Sequence, residues 1–297
     1  MQVNTRSAHM AQVARMSTLQ RQLDTVQGQI ATGKRIARPS DDLVGSGIAT
    51  RLRRVQAEGN AQSGAVDAAA ARLSAADTNL GAVATLLTRA RELGLQGASA
   101  TLNAADRATL AAETALLGEQ LLDLANAVGP DGTPLYGGVN GSGPAFARDA
   151  GGVVRWQGFG GGAVVVLGSA VVAGTGGPAA FGGPDGDAFA ALDALRVALT
   201  APDPVRAAGV AAALTELEAA VSRAADAQAA VGSRAARLDS ESQRLATSDL
   251  QLEADRTKVE SLDMASAIAR LQRLSTVLQA AQASFVKLTS LSLWDRL

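Results

Sequence analysis

Apolar residues in this chain recur in alternating steps of three and four over most of its length, and that spacing restricts the fold more than any other feature. Leu19, Leu23, Val26 and Ile30 step by 4, 3 and 4. Val66, Leu73, Leu80 and Leu87 recur every seven residues, with Ala69, Ala76, Val83 and Ala90 between them. Leu110, Thr114, Leu117, Leu121, Leu124 and Val128 follow the same alternation, as do Val210, Leu214, Leu217, Val221, Ala224, Gln228 and Val231. Val231, Leu238, Leu245, Leu252 and Val259 then hold strict sevens. After a phase shift, Met264, Leu271, Leu278 and Phe285 continue at sevens, with Leu274, Ala281 and Leu288 filling in. A narrow apolar seam at this period is the pattern of long helices in a bundle or coiled coil. Alanine, at 64 of 297 residues, fits the same reading, because it has the best helix propensity and lets helices approach closely.

One window breaks the pattern. Of the 31 glycines, 19 fall between Gly129 and Phe189, with five of the eight prolines and six of the eight aromatics. Short strands are predicted at Val153–Gln157, Ala163–Leu167 and Ser169–Ala173, with a turn at Gly158–Gly162 between the first two. The fold class that follows is mainly α: a long antiparallel helical bundle or coiled coil formed by both termini, with a small central β-rich insertion. The expected divisions are an N-terminal assembly helix over 1–32, a helical rod over 33–136 and 188–262, a β-rich domain over 137–187, and a C-terminal assembly helix over 263–297.

The two ends carry amphipathic stripes, and chain ends fray unless something ties them down. The tail from Ser290 holds Leu291, Leu293, Trp294 and Leu297 within eight positions, apolar surface that is costly to leave in water at ~25 cal/mol per Å². The candidate interface is therefore Leu19, Leu23, Val26 and Ile30 at one end, and Leu271, Leu278, Phe285, Leu288, Leu291, Leu293 and Leu297 at the other.

Little here suggests chemistry. Without cysteine there is no disulfide framework, thiolate metal site or cysteine nucleophile. The lone His9 cannot build a multi-histidine site and reads as a helix-face residue. A formal charge of −1 gives no electrostatic reason to expect nucleic acid or an anionic membrane. No window reaches the ~18 apolar residues of a membrane span, and the first 16 residues do not read as a secretory signal peptide. Gly28 to Lys34 has the spacing of a phosphate-binding loop, but Arg35 stands where a magnesium-ligating hydroxyl is needed and a helix, not a strand, precedes it. Gly158-Phe159-Gly160 with Ala163 has dinucleotide-binding spacing, yet Val164-Val165-Val166 follows as a strand, not a helix. Adjacent Asp41 and Asp42 point about 100° apart on a helix and do not form a carboxylate pair. They read as a helix start, with Ser40 as the cap and the acids favouring the N-terminus. No catalytic residue, cofactor or metal is assigned.

The segment Gln29-Ile-Ala-Thr-Gly33-Lys34-Arg35-Ile36-Ala37-Arg38-Pro39-Ser40-Asp41-Asp42 resembles the N-terminal signature of the bacterial flagellin superfamily, in the form of its hook–filament junction branch. Asn60, Leu124-Ala125-Asn126, Gly132, Leu135-Tyr136-Gly137-Gly138, Val231-Gly232-Ser233-Arg234 and Asp263-Met264-Ala265 resemble further family segments, as does Ser290 to Leu293. The resemblance implies a non-enzymatic structural subunit of the flagellum, exported through the flagellar type III channel without a cleaved signal peptide, whose terminal helices are disordered in the free monomer and order on assembly. It implies as partners further copies of the chain in a ring-like layer, a neighbouring hook-associated protein, flagellin and an export chaperone. A short flagellin is the alternative within the family; outside it stand a phosphate-binding enzyme using Gly28–Lys34 and a generic helical bundle. In the first case Lys34, Arg35 and Arg38 are charge partners for a neighbouring chain, and otherwise they form an exposed turn.

Overall fold

The computed structural model describes residues 2–138, 143–160, 164–166, 170–172, 176–183 and 187–294. Its helices are α1 (Gln2–Thr32), α2 (Leu43–Gly97), α3 (Ala104–Ala125), α4 (Gly177–Phe181), α5 (Asp187–Thr200), α6 (Val205–Glu260) and α7 (Met264–Trp294). Between α3 and α4 lie strands β1 (Phe146–Arg148), β2 (Val154–Trp156), β3 (Val164–Val166) and β4 (Ala170–Val172). The chain is mainly α with a small β-rich insertion. The helices are long because nothing breaks them: no proline occurs between Pro39 and Pro130, nor after Pro204.

The fold divides into two units. A central unit takes in Asn60–Ala246, and a terminal unit takes in Met1–Gly59 with Thr247–Leu297, so α2 and α6 contribute to both.

The central unit holds one hydrophobic core. The α2 heptad Val66, Leu73, Leu80 and Leu87 and its companions Ala69, Ala76, Val83 and Ala90 are all buried, against Val210, Leu217, Ala224, Val231 and Leu238 of α6 and Leu117, Leu121 and Ala125 of α3. Asn103 caps α3 by accepting from the Asp106 amide at 2.9 Å. Helix α5 packs along α3, adding Leu192, Leu195 and Leu199. An aromatic cluster extends the core into the insertion: the Phe181 ring lies 5.0 Å from Tyr136, 5.1 Å from Phe146 and 5.9 Å from Phe189. Burial raises the pKa of the Tyr136 phenol, whose hydroxyl donates to Asn79 at 2.7 Å.

The strands differ from expectation in their pairing. β2 falls within the predicted Val153–Gln157, but it pairs back onto β1, where no strand was predicted, with Phe146 opposite Trp156. Asp149 shapes that hairpin, accepting from the Gly151 and Val153 amides and from Arg155. The Asn126 side chain docks β1 by exchanging two hydrogen bonds with the Phe146 backbone. β3 and β4 form a second antiparallel pair, with Val164 opposite Val172. The predicted turn therefore joins the two hairpins and does not close one; its residues 161–162, and strand-end residues 163, 167–169 and 173, lie outside the described residues.

Candidate assembly interface

The terminal unit has almost no core. Among its described residues only Val26, Ala49 and Ala267 bury an apolar side chain fully. Helices α1 and α7 pack on each other, and the antiparallel sense is fixed at both ends: the His9 ring meets Phe285 at 4.8 Å, and Lys34 pairs with Ser261 just beyond the opposite helix ends. The interface residues expected from sequence are Leu19, Leu23, Val26 and Ile30 on α1 and Leu271, Leu278 and Phe285 on α7. Of these only Val26 is buried; the other six are half-exposed. The backbone of Leu288, Leu291 and Leu293 belongs to α7, but their side chains, and all of Leu297, lie outside the described residues.

Apolar surface also lies away from the seam. Met10 is 63% exposed, Val286 65% and Val277 50%, with Val13 and Ile268 similarly open. A 31-residue helix costs roughly 1–2 kcal/mol per residue in backbone entropy. Fully burying an apolar side chain returns about 1.5–3 kcal/mol, and half-burial returns less. Two helices joined by one half-covered seam are thus weakly held, and their open apolar stripes are surface that a further chain can cover.

The family-motif residues sit where α1 gives way to α2, beside the break between α6 and α7. Gly33 ends α1 in the left-handed region, at φ +67°, which a side chain would strain. The chain then pairs with the second break: Arg35 N–H donates to Glu260 O at 2.7 Å, and Leu262 N–H to Gly33 O at 3.0 Å. The Arg35 guanidinium reaches Asp42 at 2.8 Å and the Val259 carbonyl at 3.1 Å. Gln29 donates to the Arg35 carbonyl. Buried Glu260 receives Lys34 at 3.4 Å and Arg53 at 3.5 Å. Lys34 and Arg35, read from sequence as charge partners for a neighbouring chain, are thus engaged within the chain, whereas Arg38, Pro39 and Ser40 are exposed. Further along, α2 and α6 are joined by polar contacts: Gln56 donates to Asp249, and Arg256 donates to Gln56 and Glu253.

The predicted helix start needs one correction. Ser40 does not cap α2. The first helical hydrogen bond runs from Ser46 N–H to the Asp42 carbonyl, and the Asp42 carboxylate accepts from the Gly45 amide at 2.9 Å, so Asp42 is the cap. Asp41 instead closes the preceding turn, accepting from the Ala37 and Arg38 amides. The close approach requires glycine at position 45, since a Cβ there would lie 2.5 Å from an Asp42 oxygen. Asp263 caps α7 in the same way, accepting from the Ala265 and Ser266 amides and the Ser266 hydroxyl.

Both caps titrate low. Asp42 is held below the usual carboxylate value by the Gly45 amide and then by Arg35, and Asp263 by the Ser266 hydroxyl and amide. A carboxylate with a depressed folded-state pKa stabilises above its unfolded value and loses that contribution as pH falls through the folded value. Far-UV circular dichroism of the full chain is therefore expected to lose helix below about pH 4. Asp42→Asn combined with Asp263→Asn, which still caps but does not titrate, should remove that component. An unchanged titration curve would count against the caps as its source.

The phosphate-loop spacing has no supporting context. Gly28 lies inside α1 and Lys34 pairs with Glu260, so no strand-loop-helix unit forms. Phe159 bridges back to Gly138, and the next element in the chain is strand β3, where dinucleotide-binding spacing would need a helix. Among the described residues no group of three or more His, Asp or Glu is placed to hold a metal ion, and no described helix is long and apolar enough to cross a membrane. Sequence reasoning missed Glu260 and Arg53; the available signal was the phase shift after Val259, which marks the break that Glu260 closes.

Two family profiles match the chain: the bacterial flagellin N-terminal helical region over residues 3–141, and the bacterial flagellin C-terminal helical region over residues 214–295. Flagellar hook-associated protein 3 of Escherichia coli strain K12 is 32% identical over 123 residues, 41% of this chain and 39% of that one. Its counterpart in Salmonella typhimurium is 27% identical over 152 residues, 51% of this chain and 48% of that one. The chain thus spans less than half the length of these curated relatives. The fold is shared with the flagellar junction protein FlgL of Legionella pneumophila, at a TM-score of 0.60 and 14% identity, covering 72% of this chain and 100% of that one. Matched at both ends, over well more than half of its length in total, by the N-terminal and C-terminal helical regions of bacterial flagellin, the chain belongs to the bacterial flagellin superfamily.

Proposed function

We propose that this chain is a non-enzymatic structural subunit of the bacterial flagellum, placed outside the cell at the junction of hook and filament. The observation that carries the reading is the coreless terminal pair, α1 with α7, whose half-covered seam and open stripes call for further chains. Similarity to proteins named flagellar hook-associated protein 3 supports the junction position. In this reading residues 1–32 and 263–297 are the assembly helices, 33–136 and 188–262 the helical body and 137–187 the β-rich part. The interface runs through Leu19, Leu23, Val26, Ile30, Leu271, Leu278 and Phe285, and takes in Leu288, Leu291, Leu293 and Leu297. The partners are further copies in a ring-like layer, a neighbouring hook-associated protein, flagellin and an export chaperone, and the route out is the flagellar type III channel.

Loss of the gene product tests this. Cells lacking it should carry hooks without filaments and release flagellin into the medium; normal filaments would overturn the reading. The matching family profiles are those of flagellin, which makes a short filament subunit the second reading. Stoichiometry separates the two, since a filament subunit dominates the mass of sheared filaments and a junction subunit is a trace component.

A further inference from the structure

We propose that the paired helix breaks around Glu260 set the register in which α1 meets α7, with Arg35 and Glu260 as the positioning residues. The seam alone is ambiguous. Stepping back by heptads from the His9–Phe285 contact brings Met16 opposite Leu278, Leu23 opposite Leu271 and Ile30 opposite Met264. A slip of one heptad, roughly 10 Å along the axis, would bring Met16 opposite Phe285, Leu23 opposite Leu278 and Ile30 opposite Leu271. Apolar side chains still meet apolar side chains, so burial hardly distinguishes the two arrangements. Registers this close in energy need a polar device to separate them.

The breaks supply it. Lys34 pairs with Ser261, and the flanking Arg35 N–H to Glu260 O and Leu262 N–H to Gly33 O bonds hold the two chain segments at one level. Arg35 fastens this pairing to the end of α6 through the Val259 carbonyl and to the start of α2 through Asp42. Glu260 draws in Lys34 from one break and Arg53 from α2. The arms measured from the clamp agree: His9 lies 25 positions before Lys34, and Phe285 lies 24 positions after Ser261. The contact at the far end of the seam is therefore the one that an unslipped pair starting at the clamp must make. A slipped pair would have to break both backbone bonds and take Lys34 away from the buried Glu260.

The absence of cysteine makes the test direct. Three double variants of the full-length chain, His9→Cys with Phe285→Cys, Met16→Cys with Phe285→Cys, and His9→Cys with Leu278→Cys, report the native register and the two one-heptad slips. Each is equilibrated in a glutathione redox buffer, where the fraction of intramolecular disulfide follows how often the two positions meet. With the clamp intact the 9–285 pair should exceed both slipped pairs at least fivefold. Arg35→Ala with Glu260→Gln, and separately Lys34→Ala with Arg53→Ala, should bring the three yields to within about twofold while the melting of the central unit is unchanged. Equal yields with the clamp intact, or an undiminished 9–285 preference in both clamp variants, would overturn the proposal. The yields are read on the isolated chain, so they stand apart from the hook and filament phenotype.

Discussion

Removal of residues 264–297 is expected to yield a soluble chain that melts like the full-length protein and no longer supports filament attachment. The core cluster runs from Val66 to Leu245 and takes no residue from α7. Among the described side chains of α7 only Ala267 is a buried apolar one, so the truncation discards little of the burial described. α1 loses its partner and its seam is left bare, which removes half of the surface proposed for assembly. The unfolding midpoint should move by less than about 2 °C, a shift that corresponds to under roughly 1 kcal/mol for a domain of this size. Helical ellipticity should fall by the contribution of α7 together with whatever α1 had gained from it. In cells the truncated chain should fail to restore filaments to a strain lacking the gene. Filaments attached as usual would overturn the role given to the terminal helices, and a large drop in the midpoint would mean that the ends belong to the core.

Periodicity made the helical architecture legible, but it could not say how deeply each seam is covered. Val231, Leu238, Leu245, Leu252 and Val259 form one uninterrupted heptad series. The first three are buried in the central core; Leu252 and Val259 are only half-covered in the terminal unit. The spacing records which face of a helix is apolar, whereas burial depends on how many partners stand against that face. The same limit applies to Leu23 and Leu73, which look alike in sequence and differ completely in exposure. Phase was more informative: the shift between Val259 and Met264 located a break that the structure places at Ser261–Asp263.

Short-range chemistry was legible in kind but not always to the residue. Ser40, Asp41 and Asp42 can all accept from backbone amides, and the choice among them is made by where the turn after Pro39 delivers the chain, which Arg35 and Ile36 help to set. β1 escaped notice because three residues, Phe146–Arg148, carry too short an alternation, and because its docking partner is the side chain of Asn126 at the end of a helix. Glu260 was invisible for a different reason. A glutamate on a long polar helix face is ordinarily solvated, and only the return of the chain from α1 encloses this one.

Truncating one leucine from each unit should separate folding from assembly. Leu73→Ala removes a fully buried side chain from the α2 heptad, where the surrounding helices can collapse only partly, and is expected to cost about 2–5 kcal/mol. At about 2–4 °C per kcal/mol the midpoint of the central unit should fall by roughly 4 °C at the least. Leu271→Ala removes the same atoms from the half-covered seam of α7. It should leave that midpoint where it was, because Leu271 is not a member of the central core cluster. Its effect should appear in assembly, where the seam position is repeated in every copy and each contact forfeits its share of buried area. Calorimetry on the purified variants and complementation of the deletion strain read the two outcomes independently. A seam that behaved like the core, with Leu271→Ala lowering the midpoint as far as Leu73→Ala, would mean that the terminal helices are already part of a single cooperative fold before any partner arrives. Unchanged midpoints for both would mean instead that the core relaxes around lost volume more freely than its packing implies.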